Sequence, residues 1–256
     1  MAEVLVCVKR VPQATTEPVI TADGLGIDAT MTGSTMSPHE ECAVELATQI
    51  ADATGGSATV LTLGGADSVD QLRDALSVGV TAAVHIEADP AAFGPADVAR
   101  AIAEVVRAKA ATGAPYDVVL LGNDAADTGD FQVGVRVAYA LDWPVVAGCS
   151  TVAVDGSVAS CVADGPEGTG VFEVALPVVA TVLEGGVEPR YPSLMGRMKA
   201  KKVAIETAVP GFTPAGSGRV GLALPPPIPN EVEILGQGAS AAPAVVAVLK
   251  ELGVVR

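Results

Sequence analysis

The chain has 256 residues, a length that suits one large α/β domain with an appended segment. Its 15 basic and 30 acidic residues give a formal charge of −15, and such an acidic surface repels phosphate backbones, which argues against nucleic-acid binding. Gly, Asp or Pro breaks every apolar run well before the roughly 18 residues needed to cross a bilayer, so we predict no membrane insertion. No secretory signal pattern precedes the first apolar run, and we expect a cytoplasmic protein.

Strand and helix patterns alternate from the start of the chain. Residues 4–8 form a continuous apolar run, which is typical of a strand buried on both faces. The segment 10–36 contains prolines and a glycine turn, and it predicts a long loop with a small hairpin. A helix is predicted to begin at Ser37-Pro38-His39-Glu40, with Ser37 as N-cap and Glu40 closing a capping box. The next predicted strands are 58–63, 82–86 and 117–121, and the next helices follow Ser68, carry Val98 to Val106 and begin at a cap on Asp130.

The pattern changes after residue 144. Residues 145–154, 157–162 and 171–176 read as short strands joined by turns and predict an antiparallel addition, and another apolar strand spans 178–182. The predicted class is therefore α/β, with a doubly wound, mostly parallel, Rossmann-like sheet and right-handed crossovers. Ligands of such sheets bind beyond the carboxyl ends of the strands.

The last part of the chain is irregular. From about residue 207 it is rich in Pro and Gly, with three prolines at 225–227, and it ends in a predicted helix over 242–252. We predict an α/β domain at 1–206 and an extended C-terminal tail at 207–256. The apolar face of the final helix either docks on a partner or folds back on its own domain.

The histidines and cysteines indicate no catalytic or metal site. The four cysteines form no CxxC pair and have no histidine near them in sequence, so neither a metal ion nor a disulfide is predicted. His39 falls in the first turn of a helix and His85 on a strand, and neither has a predicted nucleophile nearby. No pair of groups with general acid–base spacing is present, and we assign no catalytic residue.

Two turns between a strand and a helix could bind phosphate. The turn from Leu63 to Ser68, LGGADS, is reminiscent of the SGGxDS loop of ATP pyrophosphatases, but Leu63 stands where that loop has serine, and a tight turn is the alternative. The longer turn over 122–134, GNDAADTGDFQVG, has small residues and amides suited to a phosphate and polar groups suited to a ribose or base edge. An acidic solvent loop is the alternative there. The chain has no GxGxxG after its first strand and no GxxxxGK[ST], which argues against ordinary NAD and P-loop sites.

A basic segment stands out in this acidic chain. Residues 184–202 hold five of the 15 basic residues, and apolar side chains lie between them. An apolar tip with a basic rim is typical of a protein-recognition loop, because a few desolvated anchors dominate affinity while rim charges steer the encounter. The alternative is that the leucine and methionines pack inward.

Taken together, these segments resemble the β subunit of electron transfer flavoprotein. The resemblance covers residues 4 to about 206, and it is most specific at Leu176 to Thr181 and in the EPRYPSL and MKAKK motifs over 188–202. Further matching segments are Val8-Lys9-Arg10-Val11-Pro12, the helix over 37–47, residues 72–85 and residues 122–144. The tail matches only in kind.

The resemblance implies a non-catalytic subunit with an adenine nucleotide alpha-hydrolase-like sheet. The family's β subunit pairs with an α subunit that holds most of the FAD, accepts electrons from dehydrogenases of the acyl-CoA or amine type, and passes them toward a quinone oxidoreductase. It usually buries one AMP. By position, the cofactor contacts implied in this chain are Cys7, Ser37, Pro38, His39, Glu40, Leu63, Gly122, Asn123, Asp124, Ala125, Ala126, Asp127, Thr128, Gly129, Asp130, Phe131, Gln132 and Val133.

The resemblance also implies a partner-recognition role for residues 184–202. Leu194 matches the anchor that inserts into a pocket on the dehydrogenase. The implied recognition residues are Tyr191, Leu194, Met195 and Met198, with Lys199 and Lys202 as a basic flank. The C-terminal helix is expected to dock on the partner subunit.

Some positions depart from the family. Phe131 and Val133 replace polar residues common in AMP-binding members, and Gln132-Val133-Gly134 is closer to electron-bifurcating relatives that hold a second FAD in place of AMP. Ala14 stands where many relatives have an aromatic residue near the flavin. We expect AMP, with a second FAD as the alternative. A stand-alone adenine-nucleotide-binding domain and an ATP-pyrophosphatase-like domain are the rival readings.

Overall fold

The computed structural model describes residues 1–13, 18–166, 168–226 and 232–255. Two positions named above lie outside these ranges. They are Ala14, which stands where many relatives have an aromatic residue near the flavin, and Pro227 of the proline run. The chain divides into two compact units, Met1–Leu222 and Ala223–Arg256, and each is described by itself.

The first unit is built on a mixed sheet of nine strands among the described residues. Its order is β11-β5-β4-β1-β6-β10-β7-β8-β9, and a separate short hairpin pairs β2 with β3. The strands are β1 Glu3–Cys7, β2 Val11–Pro12, β3 Ser34–Thr35, β4 Ser57–Gly64, β5 Ala82–Glu87, β6 Val118–Gly122, β7 Val145–Asp155, β8 Val158–Gly165, β9 Gly168–Ala175, β10 Val178–Val182 and β11 Ile205–Ala208.

Helices cover both faces of the sheet. They are α1 Pro38–Thr54, α2 Val69–Ser77, α3 Pro95–Ala111, α4 Val133–Leu141 and α5 Leu194–Ala200, and the second unit adds α6 Ala242–Glu251. Successive side chains of a strand point to opposite faces, so Val4 and Val6 pack with α1 and α2, whereas Leu5 and Cys7 pack with α3 and α4. Both faces of β1 are thus buried, as its continuous apolar run predicts.

The doubly wound class is confirmed, and the parallel part is larger than predicted. The strands from β11 to β7 in the sheet order are parallel, and only β8 and β9 are joined by antiparallel pairing. The prediction that residues 145–154 are wholly antiparallel is wrong. The first half of β7 pairs in parallel with β10 and its second half pairs antiparallel with β8, because a register shift near Cys149 lets one long strand join two partners.

The chain after β11 remains attached to the first unit. The Asp97 carboxylate accepts hydrogen bonds from the N–H groups of Gly94 at 3.0 Å, Ala215 at 3.0 Å and Gly216 at 2.9 Å. Phe212 packs edge-on against the ring of Phe93 with a centroid separation of 6.1 Å. The first unit therefore extends to Leu222, whereas the boundary expected between residues 206 and 207 falls inside β11.

The second unit buries none of its described residues. Its helix α6 leaves an apolar side exposed, with Val245, Val246 and Val248 on the surface. Within the described ranges, no helix of either unit is both long and apolar enough to span a membrane.

Candidate nucleotide site and recognition surface

The sheet has a switch point between β1 and β6. From β1 the chain runs outward through β4 and β5 with α1 and α2 on one face, and α3 then returns it to β6 on the opposite face. A crevice forms where crossovers diverge in this way, and in such folds it is the usual ligand site. Cys7, Leu63 and Gly122 lie at the carboxyl ends of the strands that border it, and α1 begins at its edge.

The start of α1 forms half of the predicted capping box. Ser37 is the N-cap, Pro38 follows in the first turn, and the N–H of Ser37 donates to Glu40 Oε2 at 3.0 Å. The second carboxylate oxygen accepts the N–H of Lys9 at 2.9 Å, which ties the end of β1 to the helix. Among the described residues, nothing hydrogen-bonds the buried Oγ of Ser37. This hydroxyl is thus available to a ligand.

Glu40 is an ionisable group placed in the interior. Only 5% of the residue is exposed, and this burial raises the pKa of its carboxyl to about 7 although the Ser37 and Lys9 bonds oppose the rise. Burial also raises the pKa of the neighbouring Cys7 thiol, and the charge of Glu40 adds to that rise. Cys7 is therefore an inert, uncharged part of the crevice wall.

A glycine allows the end of β6 to touch the helix. A Cβ on Gly122 would lie 2.8 Å from Glu40 Cγ, 3.2 Å from the Glu40 backbone nitrogen and 3.2 Å from His39 Cβ. No ordinary side chain fits there without moving α1. Gly122 therefore sets the distance between the loop after β6 and the N-terminus of α1.

We expect Gly122→Ala to lower the free energy of unfolding by about 1 to 2 kcal/mol, because an added methyl in a close-packed contact forces backbone shifts. Chemical denaturation of the full chain measures this effect. Gly221→Ala is the matched control, since a Cβ there meets nothing within 4 Å. Equal stability of the two variants would contradict the close contact.

The loop after β6 begins with a network around Val182. The Val182 carbonyl accepts the N–H of Asn123 at 2.8 Å and lies 3.3 Å from His39 Nδ1. Thr181 Oγ1 donates to Asn123 Oδ1 at 2.7 Å. Asp124 Oδ1 is 3.3 Å from His39 Nε2, yet this buried oxygen has no hydrogen-bond partner in the part of the chain that the structure describes. With Ser37 Oγ, it is the second buried polar atom of the crevice that lacks a hydrogen bond within the described residues, and it lies beside the His39 ring.

The middle of the loop is a closed turn with an ion pair. The carbonyl of Ala125 accepts the N–H of Thr128 at 3.2 Å and that of Gly129 at 2.9 Å. Asp127 Oδ1 accepts from Lys9 Nζ at 2.7 Å. Lys9 therefore holds the loop through its side chain and α1 through its backbone.

The last part of the loop leads away from the crevice. Phe131 has a positive φ of 53° and its ring is mostly exposed, and Gln132 Oε1 accepts from the Arg136 guanidinium at 3.0 and 2.8 Å. The prediction that Asp130 caps α4 is wrong. Phe131, whose backbone is left-handed, stands between Asp130 and the helix, and α4 begins at Val133 after Gln132. Asp127 thus contacts Lys9, whereas Gln132 contacts Arg136.

The implied cofactor contacts therefore fall into three groups. Around the crevice the structure places Cys7, Ser37, Pro38, His39, Glu40, Leu63, Gly122, Asn123 and Asp124. The closed turn contains Ala125, Ala126, Asp127, Thr128 and Gly129, and the segment leading away contains Asp130, Phe131, Gln132 and Val133. Lys9 and Thr181 were missed. Lys9 lies in the VKRVP motif directly after a buried strand, which was a signal in the sequence.

The Gly64-Gly65 turn is occupied by internal contacts. A Cβ on Gly64 would lie 2.0 Å from Ser68 Oγ, and the Gly64 carbonyl accepts the N–H of Ala88 at 3.1 Å and lies 2.9 Å from His85 Nε2. Asp67 Oδ2 pairs with Arg10 Nε at 3.0 Å. These contacts favour a tight packing turn over a pyrophosphate site, and they give His85 a structural partner.

Residues 184–202 present an apolar patch to solvent. Ser193 begins α5 by accepting the N–H of Gly196 on its Oγ at 3.0 Å. The exposed fractions are 92% for Tyr191, 76% for Leu194, 70% for Met195 and 58% for Met198, and we call these four residues the recognition patch. The alternative that the leucine and methionines pack inward is therefore wrong for the first unit by itself.

Basic side chains flank the recognition patch, and contacts with α2 hold α5 in place. The charged side chains Arg197, Lys199, Lys201 and Lys202 are exposed beside the patch. The Arg73 guanidinium of α2 donates to the carbonyl of Ala200 and, at 2.7 Å, to that of Val203. A Cβ on Gly196 would lie 2.2 Å from the Ser77 carbonyl oxygen, so α5 lies directly against the end of α2.

The fold and these two features define a doubly wound α/β protein with a crevice at its switch point and an exposed apolar patch flanked by basic residues. The family model for the electron transfer flavoprotein domain matches residues 25–211, and the chain belongs to this family. Proteins called "Electron transfer flavoprotein subunit beta" are similar to it. The one from Syntrophomonas wolfei is 35% identical over 225 residues, covering 88% of this chain and 86% of the relative. The one from Homo sapiens is 34% identical over 217 residues, covering 82% and 83%, and the one from Mycobacterium bovis is 31% identical over 228 residues, covering 87% and 85%.

Proposed function

We propose that this chain is the β subunit of a heterodimeric, cytoplasmic electron transfer flavoprotein, an electron carrier and not an enzyme. It would accept electrons from dehydrogenases of the acyl-CoA or amine type and deliver them toward a quinone oxidoreductase. Membership of the family and the name shared by its relatives support an α subunit as partner and an association with flavin. The recognition patch is the observation that carries the proposal.

The patch has the properties that a carrier needs. An isolated soluble domain gains nothing by exposing a tyrosine, a leucine and two methionines together, whereas a docking surface uses such anchors for affinity. The surrounding lysines and arginines contrast with the formal charge of −15 and would steer the patch toward an acidic partner surface. A small interface with few anchors also suits a protein that must leave one partner to reach the next.

The crevice fits an adenine nucleotide. Its two buried polar atoms without a hydrogen-bond partner among the described residues are Ser37 Oγ and Asp124 Oδ1. A nucleotide can satisfy both, because a ribose hydroxyl can donate to the carboxylate oxygen and the serine hydroxyl can donate to a phosphate oxygen. The positive end of the α1 helix dipole also lies at this edge of the sheet. We therefore propose that AMP binds at this edge. AMP supplies no redox chemistry there and would act by ordering the loop after Gly122.

The flavin belongs mainly to the α subunit in this proposal. FAD supplies reversible one- and two-electron redox chemistry when bound. This chain contributes no ionisable group that we assign to that chemistry, and its part is to bind the partners and hold the carrier together. A second FAD in place of AMP, as in electron-bifurcating relatives, is the alternative.

The second unit supports a heterodimer. Helix α6 has Val245, Val246 and Val248 exposed, and its unit buries none of its described residues. An apolar helix face gains most of its stability from tertiary packing. We propose that this face docks on the α subunit.

Released nucleotides test the proposal. The full chain is co-expressed with the electron transfer flavoprotein α subunit of the same organism, the purified complex is denatured, and the nucleotides are identified by chromatography and mass. We expect one FAD and one AMP per heterodimer. Two FAD and no AMP would overturn the AMP assignment in favour of bifurcation, and failure to form a complex would favour a stand-alone nucleotide-binding domain.

A serine variant makes the same experiment specific to the crevice. Ser37→Ala removes a hydroxyl that makes no cap bond, so the helix should persist while the AMP content falls and the FAD content stays the same. Ser157→Ala, at an exposed turn between β7 and β8, is the matched control. Unchanged AMP content in Ser37→Ala would place the nucleotide elsewhere.

A further inference from the structure

The segment between β10 and the recognition patch runs along α1 and touches it at three places. The carbonyl oxygen of Val182 lies 3.3 Å from His39 Nδ1, and Cys42 Sγ donates to the Val187 carbonyl at 3.4 Å. The third contact joins Arg190 to Glu45. We call residues 182–190 the strap. Its helix contacts are spaced by three residues, so they lie along one side of α1.

The Arg190 contact is the strongest of the three. Arg190 Nε donates to Glu45 Oε2 at 2.7 Å, Nη2 donates to Oε1 at 2.9 Å, and the backbone N–H of Arg190 donates to Oε2 at 3.2 Å. Two-pronged pairs of this kind fix direction as well as distance. Burial alone would raise the pKa of Glu45, but the bonds and charge of Arg190 lower the pKa below its usual range. The pair is therefore a favourable contact.

The middle of the strap also packs away from α1, since a Cβ on Gly186 would lie 2.0 Å from the Ser150 carbonyl oxygen of β7 and Val187 contacts the core. A cleft of about 450 Å³ lies between the strap and the first turns of α1, lined by Pro38, Glu41, Cys42 and residues 184–189. On the side facing α1, the strap is therefore held by separate contacts and not by continuous packing. Removing the Arg190 contact would therefore release the strap from the middle of α1.

We propose that Arg190 is a positioning residue that fixes the recognition patch for docking. It directly precedes Tyr191, the first residue of the patch, while Arg73 holds the far end of α5. The patch is thus fastened at both ends, and Leu194 is presented in one place. This inference rests on the proposed docking function. In it, the Arg190–Glu45 pair keeps the recognition patch ordered, which makes docking efficient.

Glu45 separates positioning from direct contact. Only 6% of its side chain is exposed, so a docking partner cannot reach it, whereas Arg190 is 39% exposed and a partner could touch it. If Arg190 acts through its pair, loss of either partner has the same effect. If Arg190 acts by touching the dehydrogenase, only its own substitution matters.

The test uses the α/β complex as electron acceptor of an acyl-CoA dehydrogenase from the same organism. We expect Arg190→Gln and Glu45→Gln each to raise the KM for the flavoprotein at least about fivefold, with kcat and FAD content unchanged. Arg190→Lys, which keeps the charge without the fork, should fall between them and the unsubstituted protein. Arg107→Gln is the control, because it removes an arginine with a hydrogen bond of its own, to the Ala140 carbonyl, on a different part of the fold.

Amide hydrogen exchange gives a second readout that needs no dehydrogenase. Exchange over residues 191–200 should become faster in Arg190→Gln and Glu45→Gln and stay unchanged in Arg107→Gln. A raised KM in Arg190→Gln but not in Glu45→Gln would overturn positioning in favour of direct contact. Normal KM and normal exchange in both variants would overturn the inference even where Leu194→Ala impairs docking, whereas a normal Leu194→Ala would overturn the docking function on which it rests.

Discussion

Leu194→Ala should raise the KM of a dehydrogenase for the α/β flavoprotein about 30-fold or more. Leu194 is 76% exposed at the start of α5, where it can enter a pocket on a partner. Truncating an anchor at the centre of an interface typically costs 2 kcal/mol or more, which is this change in affinity. Steady-state reduction of the flavoprotein by an acyl-CoA dehydrogenase of the same organism, over a range of flavoprotein concentrations, measures it.

Two controls separate docking from damage to the carrier. Reduction of the bound flavin by dithionite requires no dehydrogenase, so its rate should be the same with and without Leu194→Ala. Leu25→Ala removes another partly exposed leucine, 43% accessible and outside the recognition patch, and should leave the KM unchanged. An unchanged KM in Leu194→Ala would remove the patch as the docking surface.

The sequence predicts the centre of the sheet well because burial on both faces leaves an unambiguous pattern. The continuous apolar run of β1 and the alternating α and β segments are sufficient to predict a doubly wound class. The edge strand β11 has no such pattern, since its four residues are exposed or only partly buried. The sequence also gives no sign of the two hydrogen bonds from the distant N–H groups of Ala215 and Gly216 to Asp97, which help to keep the chain after β11 in the first unit.

The candidate site is predictable in its local parts only. Ser37, Pro38 and Glu40 follow a known helix-start pattern, and the capping bond from Ser37 to Glu40 forms as that pattern predicts. Lys9 and Asp127 are 118 residues apart, and Arg190 and Glu45 are 145 apart. Such pairs form only when the fold brings distant segments together. The local spacing of residues does not predict which segments meet.

The recognition patch shows a different limit. Leucine and methionine at helical spacing occur in buried faces as well as exposed ones, so the spacing alone leaves inward packing open. The basic residues around them were the better signal, because cations cluster against the strongly acidic balance of the chain. Exposure is decided by Arg73 and Gly196, which place one side of α5 against α2 and leave the other side to solvent.

Glu40→Gln should remove a pH dependence from the stability of the full chain. Burial raises the pKa of Glu40 to about 7 in the folded protein, against an ordinary value of 4.5. Below pH 4.5 the group is protonated in both states and costs nothing. As the pH rises from 4.5 through 7, Glu40 loses its proton in the unfolded chain before it does so in the folded protein. The free energy of unfolding therefore falls, by about 3 kcal/mol in total near pH 8.

The measurement is the difference in unfolding free energy between the unsubstituted chain and Glu40→Gln, from chemical denaturation at several pH values between 4 and 8. Glutamine keeps the side-chain volume and accepts only one of the N–H groups of Ser37 and Lys9, a cost that is the same at every pH. The difference should therefore shift in favour of Glu40→Gln as pH rises, and Glu87→Gln, at an exposed position in β5, is the matched control. A flat difference would mean that Glu40 is ionised as readily in the fold as in water, and that its burial is relieved by solvent entering the crevice.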